Sequence, residues 1–400
     1  MPLSILIADA FSDAARATLA SAGHTVVYDP ALAGDALTDA LAAHDPAVLV
    51  VRSTKVADAH LAAGRSLELV VRAGAGVDTI DVAGASRRGV FVANCPGKNA
   101  TAVAELAWGL ILALDRRIPD NVATAREGRW AKGAFSKARG LRGRTLGLLG
   151  LGAIGREMVT RAHAFGMPVV AWSRSLTDEA AAELNVTRAA SPLDVARAAD
   201  VLSVHVAATP DTRGLVGADL LAALPDGAFL VNTSRADVVD EAAVADAIAA
   251  RGLRYATDVP AGEPSGKEGA FEHPLASDGY VTHHIGASTD EATEAIGTEA
   301  LRVILVYAAT GRVENAVNLA EQSPATHLLT VRHLDRVGVL AGVLAEVREA
   351  GWNVQEMENL VFAGHEAACA RIRFDGSPSD DALARINAVE HVIHATVIAV

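Results

Sequence analysis

Residues 146–155 read LGLLGLGAIG, a strand-like apolar run that passes through Gly150, Gly152 and Gly155 into the apolar face of a helix. This G-x-G-x-x-G run constrains the fold more than any other feature of the chain. Gly150 permits the tight turn, Gly152 lets the backbone approach a pyrophosphate, and Gly155 lets the helix pack on the strand. The helix N-terminus, with unpaired N–H groups and the positive end of its dipole, then faces the phosphates. A bare glycine turn is the alternative, but here both flanks satisfy the dinucleotide rule.

Around this run, short β-branched segments alternate with Ala-rich helical windows. LSILIAD, HTVVYD, AVLVVR, LELVVRAG and GVFVANC precede a helix from Ala100 to about Arg117. TLGLLG, MPVVAWS, DVLSVHV, GAFLVNTS and LRYATDV follow it. The alternation predicts an α/β fold with doubly wound parallel sheets. Read linearly, it gives two Rossmann-like lobes, one before Ala100 and one after Gly143, with a cleft between them. A boundary is expected within Thr310 to Pro324. Residues 326–400 then run strand, helix, strand, strand, helix, strand, which predicts a ferredoxin-like βαββαβ domain with both helices on one face of a four-stranded sheet.

Of the 400 residues, 51% are hydrophobic and 21% charged, which excludes a largely disordered chain. Thirty-five Lys and Arg against 48 Asp and Glu give a net charge of −13, which disfavours nucleic acid and anionic membranes while permitting a local cationic pocket. Cys95 and Cys369 are the only cysteines, too few for a disulfide framework or a thiolate metal site, so no metal is expected. The N-terminal run lacks the features of a signal peptide, and the apolar stretch Ala102–Leu114 carries Glu105 and is too short to span a bilayer. A cytoplasmic enzyme or binding protein is the expectation.

An acid about 20 residues past the glycines would accept hydrogen bonds from a ribose 2′-hydroxyl and select NAD. Ser173 stands there, followed by Arg174. A guanidinium in place of the acid points to NADP or to relaxed choice. NAD remains the alternative, with Arg174 stacked on adenine or facing solvent.

Arg235, Glu263 and His284 follow strand ends, where an open α/β sheet gathers its ligands. Oxidation of a 2-hydroxy acid requires a base for the hydroxyl proton, a partner that orients it, and a cation for the carboxylate. The three residue types meet these needs. His283 competes with His284, since adjacent strand residues face opposite sides.

These residues sit in longer segments: VRSTKV (51–56), VRAGAGVDTID (71–81), VANCPGKN (92–99), LVNTSRADVVDEAAVADAI (230–248), DVPAGEP (258–264), HHIGAST (283–289) and ENAVN (314–318). Together with the glycine run they resemble the D-isomer-specific 2-hydroxyacid dehydrogenase family, over nearly the whole chain. The resemblance is nearest to the branch that oxidises 3-phospho-D-glycerate at C2 to 3-phosphohydroxypyruvate for L-serine synthesis. It implies Arg235, Glu263 and His284 as the catalytic trio, choosing His284 because it precedes Ile285 and Gly286. It also implies cofactor contacts from Gly150, Gly152, Ala153, Ile154, Gly155, Ser173, Arg174, Thr233, Ser234, Asp258 and Gly286. The substrate phosphate would lie near Arg52, Ser53, Lys55 and Arg72, with the amides of Ala73 and Gly74 on the carboxylate.

The same resemblance revises the linear division. It implies a discontinuous substrate-binding lobe (1–95 and 286–315) around a dinucleotide-binding domain (96–285). Residues 326–400 resemble an ACT domain, with His333, Asp335 and Asn353 at the positions that hold serine in feedback-inhibited relatives. A homodimer or homotetramer is implied. Two alternatives remain: an NADPH-dependent glyoxylate or hydroxypyruvate reductase or other D-2-hydroxyacid dehydrogenase, and a non-enzymatic NAD-sensing corepressor. Departures from the family pattern are Ser173 in place of Asp, Ala207 in place of Pro, and Asp335 in place of the more usual Asn.

Overall fold

The β-branched runs become strands because their branched side chains fit a pleated surface buried on both faces. In the computed structural model, which describes residues 2–264 and 269–400, they form three sheets. β1 (Ser4–Ile7), β2 (Thr25–Tyr28), β3 (Val48–Val51), β4 (Leu69–Arg72) and β5 (Phe91–Ala93) form a five-stranded sheet ordered β2-β1-β3-β4-β5. All its pairs are parallel. β6 (Leu146–Leu149), β7 (Val169–Trp172), β8 (Thr187–Arg188), β9 (Val201–Val204), β10 (Phe229–Asn232), β11 (Arg254–Thr257) and β12 (Tyr280–Val281) form a second parallel sheet, ordered β12-β11-β10-β9-β6-β7-β8. Its order reverses beside β6, and the glycine run follows that strand.

The chain divides into two compact units, Met1–Asn318 and Leu319–Val400. Within the first unit the helix Ala100–Arg116 packs on the seven-stranded sheet, with Ala104, Trp108 and Ile111 in one core with Leu146, Leu148 and Phe229. The helix Asp290–Thr310 belongs to the other sheet. Ile296, Ala300, Val303 and Ile304 form its apolar stripe and share a core with Ile5, Val48 and Val71. The chain thus leaves the five-stranded sheet near Cys95, builds the seven-stranded one and returns. The linear division at Gly143 misses this return because helical periodicity carries no information about which sheet a helix covers.

Glu299 fastens the returning helix. Its carboxylate accepts from Arg302 Nη2 at 2.7 Å, Arg302 Nε at 3.1 Å and Asn315 Nδ2 at 2.8 Å, and lies 3.5 Å from Lys98 Nζ. The ENAVN segment is tied down in turn, with the Asn318 side chain accepting from Val92 N and donating to Val90 O.

In the second unit β13 (His327–Leu334), β14 (Asn353–Val361), β15 (Ala367–Asp375) and β16 (Val392–Ala399) form an antiparallel sheet ordered β14-β15-β13-β16. Helices Val339–Glu349 and Asp380–Ala388 share one core with it, where Trp352 stacks on Phe374 with ring centroids 4.4 Å apart. Among the described residues no helix is long and apolar enough to cross a membrane.

The hydrogen bonds of Arg302, with Asn315 and Lys98 adding to them, hold Glu299 down to about 2. A carboxylate depressed in the fold stabilises it fully above its ordinary value near 4.5 and loses that contribution as the pH falls toward 2. Glu299→Gln should therefore cost about 1–3 kcal/mol at neutral pH. Thermal melts should show the gap to the parent narrowing between about pH 5 and pH 3, and a pH-independent gap would contradict this account.

Candidate active site

The carboxyl ends of the parallel strands carry nearly every residue singled out from the sequence. At the end of β1, Asp9 is 7% exposed, and its Oδ2 accepts from the amides of Arg52, Ser53 and Thr54 at 2.7, 3.0 and 2.9 Å. Ser53 Oγ donates to Asp9 Oδ1 at 3.1 Å, so that hydroxyl is already engaged. The buried carboxylate shapes the loop after β3 and sends the Arg52 side chain toward the returning segment, where it donates to Thr293 Oγ1 and Ala287 O. Lys55 is exposed and forms no ion pair among the described residues.

Arg72 closes β4 with its Nε buried and without a partner among the described residues. Burial first, then the like charges of Arg235 and Arg52, push its guanidinium below the ordinary arginine value. Two glycines make room for this crowding. A Cβ on Gly74 would fall 1.5 Å from Arg72 Nη1, and one on Gly76 would fall 1.9 Å from Arg235 Nη2. The amides of Ala73 and Gly74, expected on a carboxylate, are engaged within the protein. Ala73 N already donates to Val51 O at 2.7 Å and Gly74 N to Arg72 O at 2.8 Å. The amides of Ala75 and Gly76, two residues on, have no acceptor among the described residues.

On the other sheet, Asn232 at the end of β10 is fully buried and fixes the turn that presents Arg235. Its Oδ1 accepts from Ser234 N at 3.0 Å, and its Nδ2 donates to Arg235 O at 2.9 Å. Ser234 Oγ donates to Val206 O, tying β10 to the end of β9 instead of reaching outward. Thr233 Oγ1 is buried and has no partner among the described residues.

His284 Nδ1 lies 2.8 and 3.1 Å from the two Glu263 carboxylate oxygens, leaving Nε2 unpaired among the described residues. β12 stops at Val281, so His283 and His284 lie in a turn and the opposite-face argument does not apply. His284 takes a left-handed conformation with φ 52°. The buried Asp258 carboxylate imposes it, accepting from Thr282 Oγ1 at 2.7 Å, Ile285 N at 2.9 Å and Gly286 N at 2.7 Å. His284 N also donates to Asp258 O at 2.8 Å. Asp258 and Gly286, expected at the cofactor, therefore bond to each other and shape the histidine turn. The His283 ring instead meets Phe271 edge-on.

The glycine run meets the requirements of a dinucleotide cradle. Gly150 has φ +97°, and a Cβ there would fall 2.6 Å from His205 O; one on Gly155 would fall 2.4 Å from Gly150 O. A Cβ on Gly152 would meet nothing within 4 Å, so its backbone faces open space at the start of the helix Ala153–Ala164. A cleft over the cradle is lined by Gly150, Gly152, Trp172, Arg174, His205 and Thr212. Ala153 and Ile154 open the helix, Ser173 also lines the cleft, and Arg174 is exposed with no hydrogen bond or ion pair among the described residues. His205 is part-exposed as a residue, with Nε2 2.8 Å from Ser203 Oγ, yet its Nδ1 is buried and without a partner among the described residues, and burial depresses the ring to about 3. Orphaned polar atoms at His205 and Thr233 and an open Gly152 backbone fit a bound dinucleotide.

Sequence reasoning missed Asp9, Asp78, Asn232 and the turn-forming role of Asp258. Asp9 had a signal, an acid ending the first apolar run; the others carry none that a single sequence exposes. Among the described residues no group of three His, Cys, Asp or Glu could hold a metal ion.

In the C-terminal unit the expected effector residues are not brought together. His333 is 1% exposed and internally bonded, its Nδ1 2.8 Å from Leu334 O and its Nε2 3.1 Å from Asn359 Oδ1. The residue expected to hold an effector is thus engaged within the unit. Leu334, just before Asp335, pairs with Ala367, whereas Asn353 pairs with Asp375, so Asp335 and Asn353 lie at opposite ends of the sheet.

Residues 108–286 match the D-isomer specific 2-hydroxyacid dehydrogenase, NAD binding domain. A D-3-phosphoglycerate dehydrogenase of Mycobacterium bovis is 39% identical over 313 residues, 77% of this chain and 58% of that protein. The chain thus spans under two thirds of the length of that curated relative. A hydroxypyruvate reductase of Thermotoga maritima is 40% identical over 261 residues, 64% of this chain and 83% of that protein. The crystal structure of NAD+-bound 3-phosphoglycerate dehydrogenase from Entamoeba histolytica, 26% identical, aligns with a TM-score of 0.66 over 80% of this chain and 99% of that one. With the cradle, the His–Glu pair and the arginine cluster in place, the chain belongs to the D-isomer-specific 2-hydroxyacid dehydrogenase family.

Proposed function

We propose that the protein oxidises 3-phospho-D-glycerate reversibly at C2 to 3-phosphohydroxypyruvate. The observation that carries this reading is a hydrogen-bonded His284–Glu263 pair in the same unit as a buried guanidinium, Arg72, that feels the charges of Arg52 and Arg235. A small acid carrying both carboxylate and phosphate matches that cluster. A bound nicotinamide dinucleotide supplies the hydride acceptor. His284 Nε2 takes the C2 hydroxyl proton while Glu263 holds Nδ1–H and stabilises the imidazolium. Arg235 grips the carboxylate and polarises the C2 oxygen, the free amides of Ala75 and Gly76 supply further donors to the acid, and Arg52 and Arg72 attract the phosphate.

A second reading is an NADPH-dependent glyoxylate or hydroxypyruvate reductase. The unpartnered Arg174 beside the cradle favours it, because a guanidinium there suits a 2′-phosphate. In either case the C-terminal unit is proposed to act as a paired sensor, with L-serine as its ligand and a homodimer or homotetramer as the assembly.

His284→Ala should lower turnover about 10²- to 10⁴-fold with little change in KM, and near-normal turnover would remove His284 as the base. A panel of 2-hydroxy and 2-oxo acids, with and without a 3-phosphate, tests the substrate. Arg52→Ala should raise KM for the phosphorylated acids about tenfold or more and leave hydroxypyruvate unaffected; equal losses on both would place the phosphate elsewhere. Arg174→Ala should weaken NADP about tenfold relative to NAD, and a parent enzyme that strongly prefers NAD would defeat the 2′-phosphate role.

A further inference from the structure

We propose that Asp78 is a positioning residue for Arg235, holding its guanidinium side-on so that the end-on pair of N–H groups faces the acid. Arg235 follows β10 on one sheet, and Asp78 lies in the loop after β4 on the other. A single oxygen, Asp78 Oδ2, accepts from Arg235 Nε at 2.8 Å and lies 2.7 Å from Nη2. Ser234 O accepts from Nη1 at 2.7 Å. A guanidinium has five N–H donors, and these contacts engage Nε, one on Nη2 and one on Nη1. One hydrogen remains on each Nη, and with Ser234 O taking the Nη1 hydrogen on the Cδ side the two would form the end-on fork that matches a carboxylate.

The surroundings leave this guanidinium few other orientations. Gly76 lies so close that a Cβ would fall 1.9 Å from Nη2 and 2.9 Å from Asp78 Oδ2. Arg72 feels Arg235 and Arg52 as like charges and Asp78 as an opposite one, so Asp78 partly offsets the positive charge gathered around Arg72. The two side chains are 33% and 58% exposed, and an exposed pair of this kind adds little to stability. Its consequence is orientation. The inference rests on the reading of Arg235 as the carboxylate-binding group.

The test uses the full chain with 3-phosphohydroxypyruvate, and hydroxypyruvate as its phosphate-free counterpart. Asp78→Ala should raise KM for both acids about tenfold or more, change kcat less than about threefold, and leave the dinucleotide KM and the melting temperature unaltered. Asp78→Asn, which keeps one acceptor, should fall between the parent and Asp78→Ala, and it decides the matter should the alanine variant fail to fold. Formate added to Asp78→Ala should take the place of Oδ2 and lower KM again, which a purely structural defect would not allow. Unchanged KM in the variants, a loss confined to kcat, or formate acting only as an inhibitor would overturn the proposal. Arg235→Ala separates the two levels: a normal KM there defeats the carboxylate reading itself, whereas an impaired Arg235→Ala beside normal Asp78 variants defeats only the role of Asp78.

Discussion

Two buried carboxylates at strand ends hold the geometry on which the candidate site depends. Asp9, after β1, and Asp258, after β11, each accept several donors from a loop that has left its sheet. A buried carboxylate is costly unless its lone pairs are satisfied, so each gathers its loop into one conformation. The gathered loops then present what the carboxylates themselves cannot, Arg52 in one case and His284 in the other. The φ of 52° at His284 follows from the same constraint, since Ile285, Gly286 and Thr282 all converge on one side chain.

Arginine crowding is the second constraint, and glycine is its solution. Arg72 and Arg235 lie where any side chain on Gly74 or Gly76 would collide with them. The GAG segment is therefore a seat for two guanidinium groups as well as a turn. The like charges of Arg235 and Arg52 press on the buried Arg72 guanidinium, a crowding that an anion at this place would relieve. A chain of net charge −13 thus still carries a local concentration of positive charge.

The fold was largely legible in the sequence. Runs such as AVLVVR and GAFLVNTS could only be buried parallel strands, and the glycine run after β6 marked the dinucleotide end of its sheet. The return of Asp290–Thr310 to the first sheet was not readable from periodicity, because an apolar stripe does not name its partner, and only the family resemblance carried it. At the site, residue types were legible but engagement was not. Ser234, Ala73, Gly74 and Gly286 lie at strand ends as expected, yet their polar groups are bonded within the protein. Hydrogen bonding between residues far apart in sequence decides which amide or hydroxyl faces a ligand, and a single sequence does not record it. The different surroundings of His283 and His284, Phe271 for one and Glu263 for the other, are of the same kind, and only the family resemblance chose between the two in the sequence.

The C-terminal sheet extends this point to regulation. The register pairs β13 and β14 through β15, so Asp335 and Asn353 are separated by about one strand length, roughly 25 Å. No amino acid spans that distance, and His333 between them is occupied by Leu334 O and Asn359. Asp335 and Asn353 can meet one ligand only if a second copy brings its Asn353 to the first copy's Asp335. A twofold axis would create two equivalent sites, each built from both chains. Effector binding would then be inseparable from pairing of the units, and ligand affinity would rise with protein concentration as linkage requires.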